Sequence, residues 1–256
     1  MREFNWPDRL WIARHGQSAG NVARDAAEQA RSAVIDIADR DIDVPLSSLG
    51  ERQAGALGSW YRALAPQERP EVILSSPYVR AADTARIMLE TAGIDGAQHN
   101  ILLDERLREK EFGILDRLTR IGIQQKYPEL DEQRNHVGKF YFRPPGGESW
   151  CDVILRLRGV VDTLTRDHPG GRVMIIAHQV IVNCLRYLLE GLTEQQILDI
   201  DRSGDVPNCG VTSYRFDPGV GRHGKLVLAQ ANAVNSLLED GAPITTRADV
   251  PVAAKA

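Results

Sequence analysis

Cysteine is scarce in this chain: Cys151, Cys184 and Cys209 are the three in 256 residues, widely spaced and never in a CxxC pair. That pattern excludes a disulfide framework and a cysteine-built metal ribbon, and it predicts a reducing, cytoplasmic setting. An excess of basic charge is also missing. With 31 Lys and Arg against 35 Asp and Glu, the formal charge is -4, so neither nucleic acid nor an anionic membrane is expected as a partner. No apolar run approaches the roughly 20 residues of a membrane span, and the opening MREFNWPDRLWIARHG lacks the layout of a signal peptide. Any anion bound by this chain is therefore held by local groups rather than by a general field.

What is present is apolar material in short blocks. Hydrophobic residues make up 43% of the chain, enough for one sizeable core. RLWIA at 9–13, EVILS at 71–75, ILL at 101–103 and RVMIIA at 172–177 read as buried strands, being short, apolar and partly β-branched. Between them lie helix-forming stretches. Residues 21–40 read as an exposed helical insertion. A helix to about Leu64 is expected behind a capping box of Ser48 and Glu51, and another through about Glu90 is opened by Pro77. Glu148 to His168 and Gln179 to Leu189 are expected to be helical as well, and one short helix is expected near 119–127. Residues 211–230 read as one or two edge strands. Strands separated by helices predict an α/β fold, a three-layer α/β/α sandwich with a mostly parallel central sheet. One domain over 1–230 is expected, with a patternless, extended or flexible tail at 231–256.

In such sheets a ligand sits beyond the carboxyl ends of the strands, and three of those ends carry suggestive residues. The first strand runs into Arg14-His15-Gly16-Gln17-Ser18, with Asn21 just beyond. Gly16 frees space where the backbone turns, Ser18 and Asn21 offer neutral hydrogen bonds, and Arg14 offers a rigid fork of donors for an oxyanion. The second strand runs into SSPYVRAADTA, which puts Arg80 in the first turn of a helix, a natural anion site. The buried strand RVMIIA ends directly on His178. Each residue alone has an ordinary structural explanation; two imidazoles and two guanidiniums at strand ends are expected to converge on one concave site.

At this point RHGQSAGN, VPLSSLGERQA, SSPYVRAADTA, LREKEFG, PPGGES and IIAHQ, in that order from about Leu10 to Phe216, resemble the histidine phosphatase superfamily, which includes cofactor-dependent phosphoglycerate mutases. The resemblance implies a phosphoglycerate mutase-like fold and a phosphohistidine formed on His15. It implies that Arg14, Arg80 and His178 bind the phosphoryl oxygens, with Gly16, Ser18, Asn21 and Gln179 completing the phosphate-binding set. No metal ion and no cofactor are called for, since the positive groups around the phosphoryl oxygens supply the stabilisation. A general acid is needed in LREKEFG. The residues alone rank Glu105, Glu109 and Glu111 equally, and the resemblance implies Glu109.

Gln17 and Gln179 depart from the commoner Glu and Gly of the family, and Gln179 with GESW is similar to the fructose bisphosphatase domain of the bifunctional sugar kinase/phosphatase. The expected activity is hydrolysis of a small phosphorylated metabolite. The alternatives are a mutase and a non-catalytic phosphate-binding scaffold. Phosphoglycerate mutases carry a tyrosine-glycine pair and tandem arginines in a longer acid loop, where this chain has Phe112-Gly113 and no adjacent arginines. Lys110, Lys139, Tyr141 and Arg143 are candidates for a second anionic group. Segments 21–45 and 113–147 are expected to form a lid, with Trp150 and Phe142 as lining or as core. A homodimer is compatible with all of this.

Overall fold

A computed structural model describes residues 6–94 and 101–246. A six-stranded sheet of order β3-β2-β4-β1-β5-β6 forms its centre, built from β1 (Arg9–Arg14), β2 (Val72–Ser75), β3 (Ile101–Leu103), β4 (Arg172–Ala177), β5 (Val211–Asp217) and β6 (Lys225–Ala233). The first four run parallel, and β5 and β6 add an antiparallel edge beside β1. β1 and β4 are buried along almost their whole length, as expected of strands covered on both faces.

Around the sheet lie α1 (Ala19–Gln29), α2 (Ser48–Ala63), α3 (Val79–Thr91), α4 (Arg120–Lys126), α5 (Pro128–Val137), α6 (Trp150–Asp167), α7 (Gln179–Glu190), α8 (Glu194–Ser203) and α9 (Asn235–Asp240). On one face Leu10, Ile12, Val173 and Ile175 pack against α6 and α7. On the other Trp11, Ala13, Met174 and Ile176 pack against α2 and α3. The strict alternation of sides along β1 and β4 is the two-residue period of a strand, and it gives the expected three-layer α/β arrangement. Among the described residues no helix is long and apolar enough to cross a membrane.

Several local expectations need correction. The cap of α2 is Ser47, not Ser48: its Oγ accepts from Gly50 N at 3.1 Å and donates to Gln17 Oε1 at 2.7 Å. This tertiary partner selects between two adjacent serines. Pro77 precedes α3 rather than opening it, because the chain first turns through Ser76 and Tyr78. The helix expected over 21–40 stops at Gln29. Beyond it Ile35 is buried and its N–H goes to the carbonyl of Arg117, so tertiary pairing replaces the helical ladder.

The stretch 113–147 holds two helices, divided at Tyr127-Pro128, where Pro128 takes the first helical position. α8 follows α7 without having been foreseen. The stretch beyond residue 230 is not patternless: β6 continues to Ala233, and α9 buries Leu237 against Ala56 and Cys209. Pro243 and Thr245 are then gripped by the side chain of Gln53 at 2.8 and 2.9 Å. The last ten positions of the expected tail, 247–256, lie outside the described residues.

Candidate active site

The three loops at the carboxyl ends of β1, β2 and β4 meet. Arg14 pairs with Ala177 in the ladder between β1 and β4, so His15 and His178 leave adjacent strands at the same level. Their ring centroids are 5.1 Å apart, edge to face, and both side chains are fully buried. Nδ1 of His15 lies 2.6 Å from the carbonyl of Gly16. A carbonyl only accepts, so Nδ1 carries a proton, and in the neutral ring Nε2 has the lone pair. Nε2 of His178 is 2.8 Å from Ser76 Oγ, and the ring of Tyr78 stands 5.2 Å from that of His178.

Each loop feeds a helix whose N-terminus opens at this rim. Ser18 caps α1 in a reciprocal box with Asn21: Asn21 N donates to Ser18 Oγ at 3.1 Å, and Ser18 N to Asn21 Oδ1 at 2.9 Å. With its oxygen used in the box, Asn21 can meet an anion only through its amide nitrogen. α3 begins just before Arg80, and α7 begins at Gln179. Three helix N-termini over one spot give an anion a favourable field without a net basic surface.

The guanidiniums are buried and fixed. Arg14 is fully buried and donates to the carbonyl of Val206 at 2.6 Å. Arg80, 2% exposed, stacks over the ring of Tyr78 with 5.0 Å to its centroid and meets Asp41 through Nη1. Gln179 is buried and donates from Nε2 to Asp205 Oδ1 at 2.9 Å. Gly16 sits where a Cβ would run into the carbonyl of Gly50 at 2.5 Å, and its N–H donates to Thr84 Oγ1 at 3.0 Å. Thr84 in turn donates to the carbonyl of Arg80 at 2.7 Å, so one threonine ties the first motif to the second.

Burial separates the three carboxylates of the acid loop. Glu109 is 1% exposed and accepts from the backbone of Lys110 at 2.8 Å. Glu105 is exposed, and half-exposed Glu111 accepts from Tyr78 Oη at 3.1 Å. Through Tyr78 the acid loop is fastened to the ring that faces His178. Burial lowers the Lys110 ammonium to about 8, opposed by the charges of Glu109 and Glu148, with Lys139 and Arg134 adding like-charge repulsion.

Of the four groups expected around a second anion, Lys110 lies over the ring of Phe112, while Lys139 lies over that of Trp150 and pairs with Asp201. Tyr141 is exposed, and Arg143 pairs with Asp152 at the start of α6. Both stand at the surface, where the chain after Phe140 turns toward the cap of α6. Trp150 packs in the main core, and Phe142 packs beneath the roof with Leu115 and Leu118.

The roof is built from both inserted segments. Thr119 N donates to the carbonyl of Ala33 at 3.1 Å, Thr119 Oγ1 to that of Ser32 at 2.6 Å, and Arg117 to that of Asp39 at 2.8 Å. The sequence did not single out Asp41, Thr84, Tyr78 or Asn208, whose side-chain amide donates to the carbonyl of His15 at 3.0 Å. Tyr78 and Thr84 lie inside the quoted SSPYVRAADTA block, as does Ser76 in the turn that ends β2; Asp41 and Asn208 carry no such signal.

A family model described as the histidine phosphatase superfamily, branch 1, matches residues 10–227. A probable phosphoglycerate mutase of Yersinia enterocolitica is 27% identical over 72% of this chain and 75% of its own length. A 6-phosphofructo-2-kinase/fructose-2,6-bisphosphatase of Caenorhabditis elegans is 29% identical over 82% of this chain, which spans only 42% of that longer protein. Among solved structures, a mycobacterial glucosyl-3-phosphoglycerate phosphatase with inorganic phosphate superposes with a TM-score of 0.64 at 25% identity, covering 90% of this chain and 99% of that one. With the paired imidazoles at the strand ends and the match running from β1 through β5 into β6, the chain belongs to branch 1 of the histidine phosphatase superfamily.

Proposed function

We propose that the protein is a metal-independent phosphomonoester hydrolase that works through a phosphohistidine on His15. The observation that carries the reading is the edge-to-face pair of buried rings, His15 and His178, 5.1 Å apart, at a rim shared by Arg14, Arg80 and three helix N-termini. In the first step Nε2 of His15 attacks phosphorus, the ester P–O bond breaks, and Glu109 gives its proton to the departing alkoxide. In the second step Glu109 takes a proton from water, the water oxygen attacks phosphorus, and the P–N bond breaks. Inorganic phosphate leaves with His15 restored. Arg14, Arg80 and His178 act on the equatorial oxygens, where charge builds.

A mutase would have to keep the phosphoenzyme and reorient its substrate. The Phe112-Gly113 acid loop without tandem arginines, and Arg143 held by Asp152, favour hydrolysis. The phosphatase name of the mycobacterial neighbour supports the same choice.

Release of phosphate from p-nitrophenyl phosphate, with chelator present, tests this reading. His15→Ala is expected to remove turnover. Glu109→Gln is expected to slow hydrolysis of an alkyl phosphate by about 10²- to 10⁴-fold, and far less the first step on the aryl ester, whose leaving group needs no proton. Turnover surviving in His15→Ala overturns the proposal, and phosphoglycerate isomerisation outrunning phosphate release turns it to a mutase.

A further inference from the structure

Asp41 begins a short 3-10 turn, Asp41–Asp43, on the segment inserted between α1 and α2. Its Oδ1 lies 3.0 Å from Nη1 of Arg80, and its backbone carbonyl accepts from the same nitrogen at 2.5 Å. A narrow cleft lies there, lined by Ser18, Asn21 and Arg80 together with Asp39, Asp41 and Asp116. Burial, and then the charge of Asp41, raise the Asp116 carboxyl above its ordinary value. Arg117 also lines the cleft, but it lies 3.9 Å from Asp116 and donates to the carbonyl of Asp39.

We propose that Asp41 is a specificity-determining residue. Held against the guanidinium that receives the phosphoryl group, its carboxylate rejects phosphomonoesters with a second acid group within a few bonds of the phosphate. It admits those whose alcohol is neutral or cationic. The inference rests on the hydrolase reading for its site, and it goes beyond that reading by naming the class of leaving group.

Charge at short range makes the selection. A phosphate in hydrogen-bond contact with Arg80 shares that guanidinium with Asp41, so a carboxylate two carbons from the phosphorus ester falls within several ångströms of a like charge. At the effective dielectric of a partly buried site, such a pair costs about tenfold to a hundredfold in affinity. A hydroxyl in the same place donates to the carboxylate instead. The lysines nearest in sequence to these segments give little relief, since Lys139 is paired with Asp201 and Lys110 is buried over the ring of Phe112.

Glycerol 3-phosphate and 3-phosphoglycerate test this directly, because they differ by a hydroxymethyl in place of a carboxylate. In kcat/KM for phosphate release the wild type should favour glycerol 3-phosphate by about tenfold or more, and Asp41→Asn should bring the two within about threefold. Asp41→Glu, which keeps the charge, should keep the preference. Any general harm from disturbing Arg80 falls on both esters and cancels in the ratio. An unchanged ratio in Asp41→Asn, or a wild type that prefers 3-phosphoglycerate, overturns the inference. If neither ester is hydrolysed, the ratio of their calorimetric Kd values on the wild type and Asp41→Asn decides the same question, so the hydrolase reading can fail separately.

Discussion

The side-chain amide of Asn208 donates to the carbonyl of His15 at 3.0 Å. Asn208 is fully buried, its Oδ1 accepts from Thr245 Oγ1 at 2.9 Å, and the N–H of the next residue, Cys209, donates to the carbonyl of Arg14 at 3.0 Å. The backbone of His15, the nucleophile we propose, is therefore held by residues that lie far along the chain from it. Asn208→Ala should cost about 1–3 kcal/mol of stability, because buried partners are left unmade. It should also lower turnover at temperatures where the variant stays folded. Urea unfolding alongside steady-state rates checks this, and a variant as active and as stable as the wild type would refute it.

A second expectation concerns the seam of the roof. A Cβ on Gly122 would run into the backbone carbonyl of Ala33, at the junction of the two inserted segments. Gly122→Ala should cost roughly 1–3 kcal/mol as overpacking and should open the seam, so that residues 30–40 become sensitive to protease. The relative rates on bulky and small phosphomonoesters should shift, while the aryl phosphate rate changes little. A substrate profile identical to wild type would dissociate the roof from selection.

Lys110 leads to an expectation about pH. Its folded value, about 8, lies below the ordinary 10.5. Below pH 8 folded and unfolded chains both hold the proton, and the cost of burying the ammonium, on the order of 3 kcal/mol, is carried in full. Between about 8 and 10.5 only the unfolded chain holds it, so this group makes stability rise with pH. Lys110→Met lacks the effect. Its advantage over the wild type at pH 7 should shrink by pH 10 in urea unfolding, and an equal gap at both values would contradict the assignment.

Much of the rim was legible because its signal is local. An apolar run that ends on a polar residue marks both a strand and its exit, and Arg14-His15 and His178 each follow such a run. Arg80 was legible by its place just inside a helix. Asp41, Thr84 and Asn208 act through bonds to distant backbone or side chains, and no period or motif announces a partner chosen by folding. Ser47 shows the same limit at short range: the capping-box pattern, with Glu51 three residues on, favours Ser48, yet Ser47 takes the cap and donates to Gln17, a partner reached only in the folded protein. α9 was illegible because six residues hold too few turns for a periodic signal; its place is fixed by Leu237 entering a gap beside Ala56 and Cys209.

The pairing of Arg14 with Ala177 makes the central ladder a ruler for the chemistry. Sliding β1 against β4 by one residue would turn every side chain of the strand to the opposite layer, and the imidazole that follows it would miss its counterpart. Length changes in this chain are thus tolerable in the roof and at the antiparallel edge, whereas the two innermost strands are held to a fixed count by the pairing of His15 with His178 at their tips.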